Sequence, residues 1–231
     1  MPGHDLEEQR DEHERREQRA RADERPALTT LNTGSRKRRR GRIGSLARRS
    51  RRGFEAVTVS EIAEAADVSQ KTVFNYFPTK EDLVYEREAA VEEALLESVR
   101  ELGPLEGMRR FLLNVFSRLG EKGAPETMAV RARIIASSPA LQARERAIFA
   151  GYTRALAELL GEQSGAERED VRAFVAANAL IGVNRALLDS ARRKVLAGRR
   201  GARLVKEIHA EAEQALDLLE RGLRGYSRKR R

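Results

Sequence analysis

Ser69, Gln70, Lys71, Thr72, Phe74, Asn75 and Tyr76 fall within one short run, SQKTVFNYF, closed by Pro78. These side chains suit contact with nucleic acid. The amides of Gln70 and Asn75 can each pair with a base edge at two points, and Lys71 and Tyr76 can hold phosphate. Phe74 or the Thr72 methyl can meet the methyl group of thymine. No comparable set serves catalysis. The chain offers no nucleophile–base pair, no phosphate-cradling glycine loop and no metal-ligand spacing, and a lone His209 is a poor start. An enzyme is therefore disfavoured, and no cofactor or metal is expected.

The elements that must present this set can be read from caps and breakers. Thr58 followed by Glu61 fits a capping box, in which hydroxyl and carboxylate satisfy amides left free by the first helical turn. Val59, Ile62, Ala63 and Ala66 then give one apolar stripe. Asp67-Val68 makes a turn, Ser69 caps a second helix running to about Phe77, and Val73 and Phe77 point inward. Thr79 with Asp82 caps a third helix and sets Lys80 in its first turn, beside amides that would attract phosphate. Such a two-helix unit next to a cationic arm is the architecture of a DNA-binding head.

The strings GFEAVTVSEIAEAADVS and KTVFNYFPTKEDL, covering Gly53–Leu83, closely resemble the head of the TetR (tetracycline-repressor-like) family of bacterial transcription regulators. The resemblance implies a homodimer whose all-helical carboxy-terminal domain binds a small molecule and changes the spacing of two heads. It also implies that Gln70, Lys71, Thr72, Asn75 and Tyr76 face operator DNA, with Lys80 on the backbone. One departure is Asp67-Val68, where the family usually has Gly-Val; Asp tolerates the turn.

Charge is local. The net charge is +9, and Ser35–Arg52 carries ten cationic residues with no acidic one. The remainder is close to neutral, which favours a polyanion contact at one place. The alternative reading is a nonspecific nucleic-acid-binding protein driven by this arginine run. The chain has no cysteine, which fits a reducing compartment. With no apolar run approaching membrane-spanning length, a soluble cytoplasmic protein is expected.

The expected organisation is a disordered charged tail over 1–34 and a helix-turn-helix domain with basic arm over 35–83. A helical ligand-binding and dimerisation domain over 84–226 and a basic tail over 227–231 complete it. In the family a first helix precedes the Gly-Phe pair, and two of its positions are normally apolar. Here they are Arg48 and Arg49, and burying two unpaired guanidinium groups costs several kcal/mol each. Either that helix is rotated or frayed, or the stretch before about Arg52 is read out of frame or from a wrong start.

Beyond Lys80 the pattern stays helical, with no alternation long enough for a strand. Leu83 to Leu102 reads as one connecting helix, followed by segments around Met108–Leu119, Met128–Ala136 and Leu141–Leu160. The last two helices span about Glu167–Leu196 and Arg203–Leu223. Val171, Phe174, Val175, Ala179 (or Asn178), Gly182, Ala186 and Asp189 on the first of these, and Leu204, Ile208, Glu211 (or Ala212), Ala215, Leu218 and Leu223 on the second, would by the resemblance meet a second copy; the alternative is that they cover their own core. A ligand cavity would be lined by Phe111, Phe116, Ile134, Phe149, Tyr152, Phe174 and Asn178. Asn178, Asn184 and Arg185 stand out as polar groups needing a partner on an otherwise apolar helix.

Overall fold

The computed structural model describes residues 54–165 and 170–223. The charged tail, basic arm, atypical first helix, reading-frame question and carboxy-terminal basic tail all lie outside them. Among the described residues there are eight α-helices and no strand: α1 Val59–Ala65, α2 Gln70–Tyr76, α3 Glu88–Leu102, α4 Pro104–Ser117, α5 Ala124–Ala136, α6 Pro139–Ser164, α7 Val171–Leu196 and α8 Gly201–Leu223. The protein is all-α: a small head (α1, α2) followed by a helical body (α3–α8).

Two cores form. The head buries Val57, Ile62, Ala63, Ala66, Val73, Phe77 and Leu83, which are the inward positions the two-helix pattern demands. The body core begins with Val84 and Tyr85 and reaches back to take in Phe54. The chain thus crosses from one core to the other between Leu83 and Val84.

That crossing interrupts the single helix expected from Leu83 onward. One 3₁₀ turn, Glu81–Leu83, comes first, and α3 starts only at Glu88. The cause is packing: Val84 and Tyr85 both turn into the body, and the Tyr85 hydroxyl donates to the Leu141 carbonyl at 3.0 Å.

Helices α3 and α4 are joined through Gly103 alone, whose φ of +81° suits glycine, so they run antiparallel as close neighbours. Their closest approach is at Gly107, packed against the backbone of Ser98 and Val99.

By length and composition Val171–Leu196 would pass for a membrane span, contrary to the sequence expectation. Its inward side explains the composition. Ala173, Ala176, Ala177, Leu180, Ile181, Leu187, Ala191 and Val195 are all buried in the body core, so α7 is the central helix of a helical bundle. Helix α8 closes over it, with Leu204, Ile208, Ala212 and Leu216 fully enclosed. These α8 positions therefore cover their own core and are not free for a second copy. Lys194 and Ser190 of α7 both bond to Glu211 of α8.

Candidate nucleic-acid interface and cavity

The head is built by the capping chemistry its sequence announces. Thr58 and Glu61 form the reciprocal box, with Thr58 N donating to Glu61 Oε2 at 2.8 Å and Glu61 N to Thr58 Oγ1 at 3.2 Å. Helix α1 ends at Ala66, and Asp67 adopts a left-handed φ of +56°. This is the departure from the family's glycine, and Asp is among the few residues that enter this region at small cost. An Asp67→Val variant should therefore lose about 1–2 kcal/mol, whereas Asp67→Gly should lose none, by chemical denaturation. Equal losses in both variants would show that this turn does not depend on backbone freedom.

Ser69 caps α2, its hydroxyl accepting from Thr72 N at 3.1 Å. Val73 and Phe77 anchor the helix inward, each 1% exposed. At 100° per residue this turns 71 and 75 to the opposite side and 72 and 74 to its flanks, while 70, the first residue of the helix, falls nearer the Val73 side. Gln70, Lys71, Phe74 and Asn75 are all exposed together with Ser69. Phe74 is 47% exposed, a large apolar ring left in water among polar neighbours.

Thr72 and Tyr76 depart from the expected exposed set, both being half-buried. The Thr72 hydroxyl pairs with that of Ser69 at 2.9 Å, and Tyr76 packs on the head core. Lys71 and Asn75 form the centre of the outward face, with Phe74 and the half-buried Thr72 at its flanks and Gln70 exposed at the start of the helix.

The third helix of the head reduces to one 3₁₀ turn, though its predicted cap exists. Thr79 N donates to Asp82 Oδ2 at 2.9 Å, and Asp82 N to Thr79 Oγ1 at 3.3 Å. Lys80 is half-buried. Its Nζ sits 4.4 Å from the centroid of the Phe54 ring and donates to the Glu55 carbonyl at 3.2 Å. The residue thus braces the entry of the chain into α1, a role with no signature in the local sequence.

The body contains a cavity of about 660 Å³ walled by α3, α4, α6 and α7. Of the expected lining, Phe111, Phe149 and Tyr152 border it. Phe116 is instead enclosed in the core, and Ile134 packs against the core. Phe174 and Asn178 lie on the outer face of α7, where with Phe149 they border a second, smaller pocket of about 400 Å³ and the Asn178 amide donates back to the Phe174 carbonyl at 2.9 Å. Helical periodicity could not separate inner wall from outer face, since both are apolar.

Polar groups in the wall were less legible. Glu145 and Arg192 form a two-point ion pair, with Nη1–Oε2 at 2.9 Å and Nη2–Oε1 at 2.5 Å. Burial opposes the Arg192 charge, but the bonds and charge of Glu145 outweigh it and raise its pKa. Burial pushes the Tyr85 and Tyr152 hydroxyls well above the usual phenol range, so both remain donors. Tyr152 donates to the Glu88 carbonyl at 3.1 Å. Asn184 borders the cavity while only 7% exposed, and among the described residues its amide has no hydrogen-bond partner. A buried amide of this kind calls for one. His209, by contrast, is a packed residue with Nε2 3.1 Å from the Leu113 carbonyl.

A short polar-faced helix held outward by a two-helix corner, joined to a helical body, is the arrangement of a helix-turn-helix transcriptional regulator. The chain belongs to the tetR family of bacterial regulatory proteins, whose family model matches residues 49–86, with an MftR C-terminal domain matching residues 102–224. The members of this family are transcriptional regulators rather than enzymes. A putative mycofactocin biosynthesis transcriptional regulator, MftR, of Mycobacterium tuberculosis is 28% identical over 136 residues, which span 57% of this chain and 67% of that protein. Among solved structures, Thermus thermophilus FadR, a TetR family repressor in complex with lauroyl-CoA, is 26% identical with a TM-score of 0.49, covering 80% of this chain and 94% of that one. The TetR family regulator PfmR, also from Thermus thermophilus, is 20% identical with a TM-score of 0.40, covering 78% and 97%.

Proposed function

We propose that the chain is a sequence-specific repressor that binds operator DNA as a homodimer and lets go when a small molecule fills the body cavity. The observation that carries this reading is the outward face of α2, where Gln70, Lys71, Phe74 and Asn75 stand exposed while Val73 and Phe77 lock the helix from behind. In this role Gln70 and Asn75 read base edges, Phe74 meets a thymine methyl, and Lys71 and Ser69 hold phosphate. Thr72 and Tyr76 contact the duplex from the edges of the face. Lys80 spends one of its three donors on Glu55, which leaves capacity for a backbone phosphate. The protein works in the cytoplasm, where its DNA is.

The cavity wall suits a molecule with an apolar body. Phe111, Val115, Ile148 and Leu188 supply apolar surface, Asn184 one hydrogen-bonding group, and Arg87 and Arg118 cationic ends. An uncharged or anionic ligand with one acceptor fits this lining. A ligand that prefers the DNA-incompetent state a hundredfold shifts binding by about 2.7 kcal/mol.

Dimerisation is supported by Val171, Phe174, Val175 and Leu218, which are 72, 53, 55 and 72% exposed on the neighbouring helices α7 and α8. Apolar side chains grouped in this way mark a surface to be covered. A Phe174→Glu/Val175→Glu variant should sediment as a monomer and lose about 100-fold or more in affinity for a two-half-site duplex, because one head then binds alone. An unchanged sedimentation coefficient would remove this face from the interface. The likeness to the M. tuberculosis protein supports DNA upstream of mycofactocin biosynthesis genes as the first target to examine.

Selection of bound duplexes from a randomised pool tests the whole reading. An inverted repeat with half-sites about one helical turn apart is expected. Recovery of no common sequence would leave only charge-driven binding.

A further inference from the structure

Of the body contacts that hold the segment between the two cores, one side chain reaches both of its ends. Arg144, near the start of α6, donates from Nε to Asp82 Oδ1 at 2.9 Å and from Nη2 to Glu88 Oε2 at 2.7 Å. Asp82 belongs to the last turn of the head, where its other oxygen caps Thr79 just beyond Pro78. Glu88 belongs to the first turn of α3 and lies in the cavity wall. One edge of a single guanidinium therefore grips the end of the head and the wall of the cavity at once.

The two carboxylates are close enough to repel. Burial first, and the nearby Asp82 charge among the further causes, raise the Glu88 pKa, while Arg144 opposes the rise. The partners are half-buried, with side-chain exposures of 33% for Arg144, 15% for Asp82 and 25% for Glu88, so water screens them only in part. With Arg144 in place, its single positive charge lies between the two carboxylates and offsets their repulsion through a planar fork that reaches both. With Arg144 withdrawn, they push the ends of the 82–88 segment apart.

We propose that Arg144 is the positioning residue that couples the cavity to the DNA-binding head, its grip on Glu88 and Asp82 setting the head against the body and its release letting the two carboxylates drive the head's last turn away. This rests on the regulator reading above and adds to it the route of the signal. A molecule in the cavity that displaces Glu88, which lies in its wall, loosens the clamp at Asp82, just beyond the recognition helix. A second tie, from the Ser138 hydroxyl to the Glu55 carboxylate, runs beside it and keeps the head attached when the clamp opens.

The test is amide hydrogen exchange of the full-length protein without DNA, in wild type, Arg144→Gln and Arg144→Gln/Glu88→Gln. Arg144→Gln should raise exchange over Thr79–Glu88 by about tenfold or more, with the amides of α7 unchanged. The double variant, which removes the repulsion, should return exchange to within about threefold of wild type. Lost packing alone would not be rescued this way. Unchanged exchange in Arg144→Gln, or a double variant no better protected than the single, overturns the proposal. Should Arg144→Gln fail to fold, Arg144→Lys carries the test: it keeps the charge and loses the fork, so a rise confined to Thr79–Glu88 is expected. A rise spread over the whole body, or none, overturns the coupling role. Because exchange is read without DNA, failure to select any operator would refute the regulator reading and leave this result standing by itself.

Discussion

Asn75→Ala should lower affinity for the selected operator by roughly 10- to 100-fold, about 1–3 kcal/mol, and leave affinity for random duplex within a factor of about two. The side chain is exposed on the outward face of α2 beside Phe74, so its loss removes a base-reading amide without disturbing Val73 or Phe77 behind it. The contrast is Lys71→Ala. A lysine that neutralises one phosphate contributes to every duplex alike, so affinity should fall by a similar factor on operator and random DNA. The slope of log affinity against log salt should become shallower by about one. Lys80 is a less clean probe, because its ammonium also stacks on Phe54 and bonds to Glu55. Lys80→Ala would mix loss of phosphate contact with loosening of the head. Competition titrations on folded variants decide the matter: equal losses on both duplexes for Asn75→Ala would remove it from base reading.

The largest stability effect should come from Gly107→Ala, at about 3 kcal/mol. A Cβ built at Gly107 would sit 2.4 Å from the Ser98 carbonyl oxygen and 2.4 Å from the Val99 Cα. Both are backbone atoms of α3, so no side-chain rotation relieves the clash, and α4 must move away from its neighbour. Met108, Phe111 and Leu112, which fill the core beside this crossing, would move with it. The melting temperature should fall by roughly 6–12 °C. Gly151→Ala is the control. It too lies within a helix, but nothing stands within 4 Å of its added Cβ, so the better helix former should raise stability by about 0.5–1 kcal/mol. Two glycines in helices with opposite responses would establish that the α3–α4 contact, and not glycine in general, sets the cost. Similar shifts in both would refute the close crossing.

The two-helix corner was legible because each part is written in local chemistry. Thr58 with Glu61, Asp67 in the turn, Ser69 at the start of α2 and Pro78 after it act over three or four residues, and the structure places each where its type demands. Helix positions in the body followed from the same signals, Gly103-Pro104, Gly123 and Ser138-Pro139 among them. What failed was tertiary. Periodicity marks an apolar stripe and does not say what covers it. The stripe of Leu204, Ile208 and Ala212 therefore left interface and core both open and is core, while Phe174 lies outside the larger cavity, exposed beside a smaller pocket. Val171–Leu196 was read as an apolar helix but not as one long enough to pass for a membrane span, because its apolar residues are spread among asparagine, arginine and glycine. The break at Val84–Arg87 is set by a second core that no local pattern encodes. The long-range bonds of the site were invisible for the same reason: Arg144 to Asp82 and Glu88, Arg192 to Glu145, and Lys80 to Glu55 join residues far apart in sequence. Asn184 was the exception. An amide among alanines and leucines signals a need in the sequence itself, and the structure places it at the cavity with no hydrogen-bond partner among the described residues.

Whether α2 reads base sequence comes down to one ratio: the affinity of the wild-type protein for its selected duplex over that for random duplex of equal length at physiological salt. A ratio of about a thousand or more is expected, which is the range of proteins that read base edges. A ratio within a factor of a few of one, with affinity that simply tracks salt, would mean that the face of Gln70, Phe74 and Asn75 reads nothing.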